Sequence, residues 1–494
     1  MSRLLRRARL AAGRDLTLGA FLERLAEVHG DRRLVDEDAG ATRTYRDASA
    51  TVSRWAGGVA AIVPAGERVV VALPNGYDPL LACLAVARAG AVPVPLNDKM
   101  RPDEIDHVVD DSGASLVLRD TDTIEGGAPL EHAVPASSGD VAAIFYTSGT
   151  TGRPKGARLT HRAVLGSLGV GALWPSGARR DEAVIGLPVA HIMGFVVLLG
   201  LAASGIPVHM LPSFDASAVL DAIESRRATL FVGVPAMYRM LLDAGAEERD
   251  LRSVRVWGSG ADAMPTDLAR RFQRMGASVT LPVVGASLGE ALFVEGWGMV
   301  ETGGAAIGRV SLPGLGGVGH PLPGYHLRVI DDDGRPVGIG GTGELLVRGP
   351  GVLESYHGDP TATAAALDGQ GWLRTGDLVR RGPFGSVSFA GRTKDVVKCG
   401  GYSVFAAEVE RVLEEHPAVA EAALVGLDDQ RLGQVPAAAV RARPGLACEP
   451  DDVIAFARER LAEYKVPRRV LVVPELARGG TGKVQKDAIR ALFV

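Results

Sequence analysis

The sequence predicts an α/β protein. A large N-terminal domain of layered α/β sheets, carrying a small β-subdomain, precedes a small α+β C-terminal domain. Three observations predict it. Apolar runs of strand length alternate with amphipathic helical segments as far as about residue 390. From Leu327 the texture changes to short alternating runs separated by Asp-Gly and Gly-rich turns. A second break falls near Gly391 to Asp395, ahead of a compact unit of about 100 residues. The length of 494 residues agrees, being too great for one hydrophobic core.

The elements follow in order. Val69 to Leu73, the helical stretch Pro79 to Ala89, and Ala91 to Leu96 set a β-α-β rhythm. It recurs at Ser115 to Leu118, Ala142 to Tyr146, Ala183 to Leu187, Val208 to Leu211, Thr229 to Val232 and Val254 to Trp257. Residues 327–392, with runs at Leu327 to Ile330 and Gly343 to Arg348, read as a mostly antiparallel β-subdomain closing an N-terminal domain of residues 1–392. Residues 393–395 form the break, and 395–494 the C-terminal domain. There Val409, Val412 and Leu413 share one helix face, and Val453, Ile454, Ala457, Leu461 and Tyr464 line another. Strands are expected at Ala418 to Val425, Val435 to Val440 and Val470 to Val473. No internal repeat or low-complexity tract is present.

Composition excludes several classes. Apolar residues at 47%, charged residues at 23%, 63 Gly and 29 Pro describe an ordinary globular enzyme with many turns. A net charge of −4 offers no global positive field for nucleic acid, so none is expected as a partner. Cys83, Cys399 and Cys448 lack the spacing of a zinc site or disulfide framework, which places the chain in a reducing, cytoplasmic setting. Gly200, Ser204, Gly205 and Pro207 break the apolar stretch from Phe195 to Pro212, so no membrane span is expected. The arginines among Met1 to Arg14 read as a solvated leader rather than a targeting segment.

The strongest chemical signal is Tyr146 to Gly156, Tyr-Thr-Ser-Gly-Thr-Thr-Gly-Arg-Pro-Lys-Gly, directly after an expected strand. Hydroxyls and glycines alternate with few bulky side chains. Backbone N–H groups and the hydroxyls of Thr147, Ser148, Thr150 and Thr151 can converge on phosphate oxygens there, and Lys155 adds a cation. Gly156 after Lys155, in place of Ser or Thr, excludes a Walker A motif.

This loop resembles the signature of the adenylate-forming superfamily: acyl- and aryl-CoA ligases, luciferase-like enzymes and peptide-synthetase adenylation domains. The likeness covers about Thr17 to the end and is nearest to bacterial acyl-CoA synthetases. Leu187 to Gly194 resembles the family's Pro-x-x-x-His-x-x-Gly segment, and Ser259-Gly260-Ala261 the strand end that packs on adenine. Trp297-Gly298-Met299-Val300-Glu301 is similar to the Tyr-Gly-x-Thr-Glu segment. Trp372 to Asp377, Gly391 to Lys398, and Thr481-Gly482-Lys483 resemble the ribose, hinge and catalytic-lysine segments.

The resemblance implies an ATP-dependent acid:CoA ligase that forms an acyl-CoA through an acyl-adenylate, releasing AMP and pyrophosphate. ATP, Mg²⁺ and coenzyme A are its implied cofactors and co-substrates. Lys483 and Glu301 are the implied catalytic residues, with Glu301 also the metal ligand. ATP would be held by Thr147, Ser148, Gly149, Thr150, Thr151, Gly152, Lys155, Gly260, Ala261, Trp297, Gly298, Asp377 and Arg392. His191, Gly233 and Trp257 are implied at the acyl pocket, Lys394 at a hinge, and Gly400 and Gly401 in the loop that serves CoA. After adenylation the C-terminal domain would rotate about the hinge and exchange Lys483 for that loop. No acidic residue occurs in Leu187 to Leu201 or Phe231 to Met240, which disfavours an amino-acid substrate. An apolar or aromatic acid is expected, with Arg309 a candidate partner for a second carboxylate or for a structural ion pair. The protein is expected as a monomer or homodimer.

Two departures stand out. Val300 replaces the usual Thr, with Trp297 for Tyr, removing a hydrogen bond to a charged phosphate worth about 1.5 to 3 kcal/mol. Ala406 and Ala477 replace prolines, which affects loop stiffness more than chemistry.

Other readings differ in class. The chain could load a carrier-protein thiol instead of CoA, or perform only the thioester-forming half-reaction. A non-catalytic nucleotide-binding protein is disfavoured because Lys155, Glu301, Asp377, Arg392 and Lys483 occur together. Gly285 to Gly289 fits a Gly-x-Ser-x-Gly nucleophile elbow with Ser287, but lacks the oxyanion segment and triad order of a hydrolase. Gly314 to Gly319 fits Gly-x-Gly-x-x-Gly, yet His320-Pro321 cannot open the helix that a dinucleotide site needs.

Overall fold

Thr44 shows how local sequence starts an element. Its hydroxyl accepts from the Asp47 N–H at 3.2 Å while its own N–H donates to Asp47 Oδ2 at 3.0 Å, a capping box that opens helix Tyr45–Ile62. Gly57 lies against the Ala128 carbonyl, where a Cβ would sit 1.7 Å from the oxygen, so only glycine allows this contact. Helix Ile192–Ser204 is apolar on nearly all sides and largely buried, ending at Gly205 in the left-handed conformation.

The computed structural model describes residues 16–37, 40, 42–147, 154–166, 168, 180–280, 287–311, 319–399, 402–478 and 484–493. These fall into two compact units: Met1–His326 with Val347–Leu373, and Leu327–Leu346 with Arg374–Val494. The β-subdomain residues thus group largely with the C-terminal residues.

In the first unit a nine-stranded sheet runs in the order 320–321, 304–311, 292–299, 256–260, 230–233, 183–185, 208–210, 33–37, 42–44. The six strands from 292–299 to 33–37 are parallel, and the edges antiparallel. Two three-stranded sheets accompany it: a parallel one of Val92–Pro95, Arg68–Val71 and Leu116–Leu118, and an antiparallel one of Ser355–Tyr356, Lys155–Thr160 and Val141–Thr147. On one face of the nine-stranded sheet, Phe231, Tyr238, Trp257, Phe272 and Phe293 form a fully buried aromatic cluster, Trp257 and Phe272 being 5.0 Å apart edge to face.

The second unit holds a four-stranded sheet in the order 326–330, 342–348, 373–381, 387–392, and a five-stranded sheet built around 433–442 and 419–429. Helix Ala406–Glu414 packs on the latter through Val409 and Leu413. Ala406 is its first residue, where a family proline is tolerated because the N–H has no intrahelical partner. The helix expected through Tyr464 ends at Arg458, and Glu463–Lys465 form a separate 3₁₀ turn.

Candidate active site

Strands Val141–Thr147 and Lys155–Thr160 pair antiparallel with Thr147 opposite Lys155, so the two ends of the expected phosphate loop are held together. Ser148, Gly149, Thr150, Thr151 and Gly152 lie outside the described residues. Lys155 Nζ stands 3.6 Å from Asp359 Oδ2 and 5.6 Å from the ring centroid of Tyr356. Its side chain is half exposed, so this pairing is a solvent-screened one.

Tyr356 continues the chain of contacts. Ser355–Tyr356 pairs with Ala157 and Arg158, which sets the ring beside the loop base, and its hydroxyl donates to Glu301 Oε1 at 2.8 Å. Burial, then the negative charge of Glu301, push the Tyr356 hydroxyl well above its ordinary pKa, so it remains a donor. Glu301 is buried in the 3₁₀ turn Val300–Thr302. Among the described residues no group of three or more His, Cys, Asp or Glu side chains converges. A single buried carboxylate still fits Mg²⁺, which takes its other ligands from phosphate and water.

Val300 is partly buried against the core. The adjacent hydroxyl does not replace the missing one: Thr302 is fully buried, and its Oγ1 accepts from the Met299 N–H and donates within the same turn. Trp297 pairs with Ile307 just before a bulge, and Gly298 approaches the Gly304 carbonyl so closely that a Cβ would lie 1.9 Å away. Gly260 pairs with Gly296 at a parallel strand end, and Ala261 next to it has φ 67°, a left-handed conformation unusual for alanine.

Gly233, Ser259, Glu295 and Arg309 stand opposite one another in register across four strands. Ser259 Oγ is buried without a hydrogen-bond partner. Arg309 Nε is 3.2 Å from Glu295 Oε2, an ion-pair distance without hydrogen-bond geometry between those two atoms. Burial raises the pKa of Glu295, and Arg309 opposes that rise.

His191 is the N-cap of helix Ile192–Ser204: its Nδ1 accepts from the Met193 N–H at 3.2 Å. That contact places the ring proton of a neutral imidazole on Nε2. Asn75 secures the preceding turn, its Oδ1 accepting from the Val189 N–H at 2.9 Å. Trp257, expected at the acyl pocket, is fully buried in the aromatic cluster, where its position on the strand faces the packed helices. Ser287 pairs with Thr280 and is followed by strand Leu292–Met299, not by the helix of a nucleophile elbow. His320–Pro321 is likewise a strand.

In the second unit, Asp377 and Arg392 are directly opposite on neighbouring strands, with Arg392 Nε 3.0 Å from the buried Asp377 Oδ1. The Asp377 N–H donates to Thr375 Oγ1 at 3.0 Å, which in turn donates to the Leu345 carbonyl at 2.7 Å. Lys394 follows two residues after Arg392 in the turn Thr393–Asp395. Gly400, Gly401 and Lys483 lie outside the described residues.

Sequence reasoning passed over Tyr356, Asp359 and Asn75. Of these only Asp359 carried a local signal: followed by Pro360, it caps helix Pro360–Ala366 by accepting from the Ala362 N–H at 2.8 Å.

The mixed sheets with a separate α+β unit, and the acid, tyrosine and lysine gathered beside a Ser/Thr/Gly-rich segment, define an adenylate-forming enzyme. The chain belongs to the AMP-binding enzyme family: its model matches residues 22–357, and that of the AMP-binding enzyme C-terminal domain matches 408–483. A feruloyl-CoA synthase of Amycolatopsis sp. is 34% identical over 97% of this chain and 100% of its own. The 3-[(3aS,4S,7aS)-7a-methyl-1,5-dioxo-octahydro-1H-inden-4-yl]propanoyl:CoA ligase of Mycobacterium tuberculosis is 34% identical over 96% of this chain and 99% of its own. Among solved structures, o-succinylbenzoate CoA synthetase from Bacillus subtilis with its acyl-adenylate intermediate is 27% identical, covers 95% of this chain and 97% of its own, and superimposes with a TM-score of 0.81. The protein is an AMP-forming acid:CoA ligase that uses ATP and Mg²⁺, passes through an acyl-adenylate and takes coenzyme A as co-substrate. Among the described residues no helix is long and apolar enough to cross a membrane.

Proposed function

We propose that the substrate of this ligase is an aromatic or fused-ring monocarboxylic acid without a second charged group. The pairing of Arg309 with Glu295 at 3.2 Å carries this reading: the cation considered as a partner for a second carboxylate already faces an acid at the end of the parallel strands. Ligands of open α/β sheets bind near such ends. The two relatives at 34% identity, named for feruloyl and for a fused-ring propanoyl group, support the same class.

The residues divide the work as follows. Lys155 and the hydroxyls and N–H groups of 147–152 hold the β- and γ-phosphates, and Asp377 with Arg392 fixes the ribose. Glu301, oriented by Tyr356, would hold Mg²⁺, which supplies neutralisation of phosphate charge when bound. Lys483 stabilises charge that develops on the α-phosphate as the carboxylate attacks. Lys394 is the hinge between an N-terminal body ending at 392 and a C-terminal body beginning at 395, and rotation there brings Gly400 and Gly401 forward for the thiol. His191 and Gly233 belong to the acyl pocket. The acceptor is CoA rather than a carrier protein, the chain acts in the cytoplasm, and it works as a monomer or homodimer.

Initial rates with hydroxycinnamic, indole-acetic, fused-ring propanoic, fatty and dicarboxylic acids test the substrate class. A higher kcat/KM for a ring-bearing monoacid supports it; a dicarboxylic acid as the best substrate overturns it.

A further inference from the structure

Asp359 is fixed by its own turn, with one carboxylate oxygen directed at Lys155. Its Oδ1 accepts from the Ala362 N–H at 2.8 Å, and its carbonyl accepts from Thr363 Oγ1 at 2.8 Å. Thr363 Oγ1 itself accepts from the Tyr356 N–H at 3.0 Å. Tyr356 pairs with Ala157, and the His357 N–H donates to the Gly156 carbonyl at 2.7 Å, so the turn is fastened to the strand that begins at Lys155. Asp359 Oδ2 stands 3.6 Å from Lys155 Nζ, and the Tyr356 ring centroid lies 5.6 Å from the same Nζ. The carboxylate is therefore held in place, and the lysine, half exposed on a flexible four-carbon stem, is the member that can adjust.

We propose that Asp359 is a positioning residue for Lys155 whose charge holds down the affinity of the phosphate site for pyrophosphate, the product that must leave. The β- and γ-phosphates of ATP become pyrophosphate once the acid has attacked the α-phosphorus, so a cation that grips them for the reaction also retains them afterwards. A fixed anion at ion-pair distance subtracts from that grip. The pair is screened by solvent, so the effect is modest, about two- to fivefold in a dissociation constant. The cap does not require the charge, because Asn caps a helix as well as Asp does. The inference rests on the proposed role of Lys155.

The experiment measures binding of pyrophosphate, ATP and adenosine to the full-length protein by isothermal titration calorimetry with Mg²⁺ present, in wild type, Asp359→Asn, Lys155→Ala and the double variant. Asp359→Asn is expected to bind pyrophosphate and ATP about two- to fivefold more tightly, with adenosine binding and the urea midpoint unchanged. In the Lys155→Ala background the same substitution should give a smaller gain, since the effect passes through the lysine. Unchanged or weaker pyrophosphate binding in Asp359→Asn overturns the proposal. So does an equal change for adenosine, which a merely structural role would produce, or a gain of full size without Lys155. If Lys155→Ala binds pyrophosphate and ATP as wild type does, the role of Lys155 fails and this inference with it. If Lys155→Ala weakens both but Asp359→Asn strengthens neither, only the inference fails.

Discussion

The Tyr356 hydroxyl donates to Glu301 Oε1 across 2.8 Å, joining the base of the phosphate segment to the acid proposed to hold Mg²⁺. Tyr356→Phe removes that donor without opening space. One hydrogen bond to a charged group is worth about 1.5 to 3 kcal/mol, so adenylation should slow roughly ten- to a hundredfold at limiting Mg²⁺ and recover partly at high Mg²⁺. A Mg²⁺ titration of pyrophosphate exchange checks this.

Val300 sits beside Glu301 with no hydroxyl, and the Thr302 hydroxyl is committed to its own turn. Val300→Thr should therefore raise the adenylation rate, by about tenfold if the new hydroxyl reaches phosphate in the transition state. Single-turnover measurement of acyl-adenylate formation decides it, and an unchanged rate would show that the native turn already compensates.

His191 caps helix Ile192–Ser204 through Nδ1. Replacing a capping side chain by alanine costs about 1 kcal/mol, whereas Asn supplies an acceptor of similar reach. Urea denaturation should place His191→Ala below wild type and His191→Asn near it. If His191 also lines the acyl pocket, both variants will raise KM for the acid.

The buried His161 accepts the Leu18 N–H at Nδ1 across 3.0 Å, and burial depresses its pKa to about 4 from an ordinary 6.5, with Asp140 opposing. Between those values the unfolded chain binds the extra proton and the folded chain does not, so stability rises with pH there. The contribution is fully present above pH 6.5, is lost as pH falls toward 4, and amounts to at most about 3 kcal/mol. Denaturation midpoints at pH 7 and pH 5 should differ in wild type and differ less in His161→Gln.

What was legible in the sequence was local. Turn chemistry and apolar periodicity placed most strands within a few residues, and the Ser/Thr/Gly run pointed to the family whose model the chain matches. Long-range packing was not legible. The burial of Trp257, one of the largest core side chains, was hidden because nothing in Val254 to Trp257 tells which sheet face meets the helices. Tyr356 escaped notice because its value comes from a pairing with strand 155–160 that lies far away in sequence. The pairing of Arg309 with Glu295 was hidden because only the antiparallel register sets them opposite each other.

A two-step, AMP-forming ligase leaves a distinctive product stoichiometry. Purified protein is incubated with ATP, Mg²⁺ and a ring-bearing acid, with and without CoA, and AMP, ADP, pyrophosphate, phosphate and acyl-CoA are quantified. Acid-dependent AMP and pyrophosphate are expected in equal amounts, with acyl-CoA appearing only when CoA is present. Acyl-CoA accompanied by ADP and phosphate would contradict it.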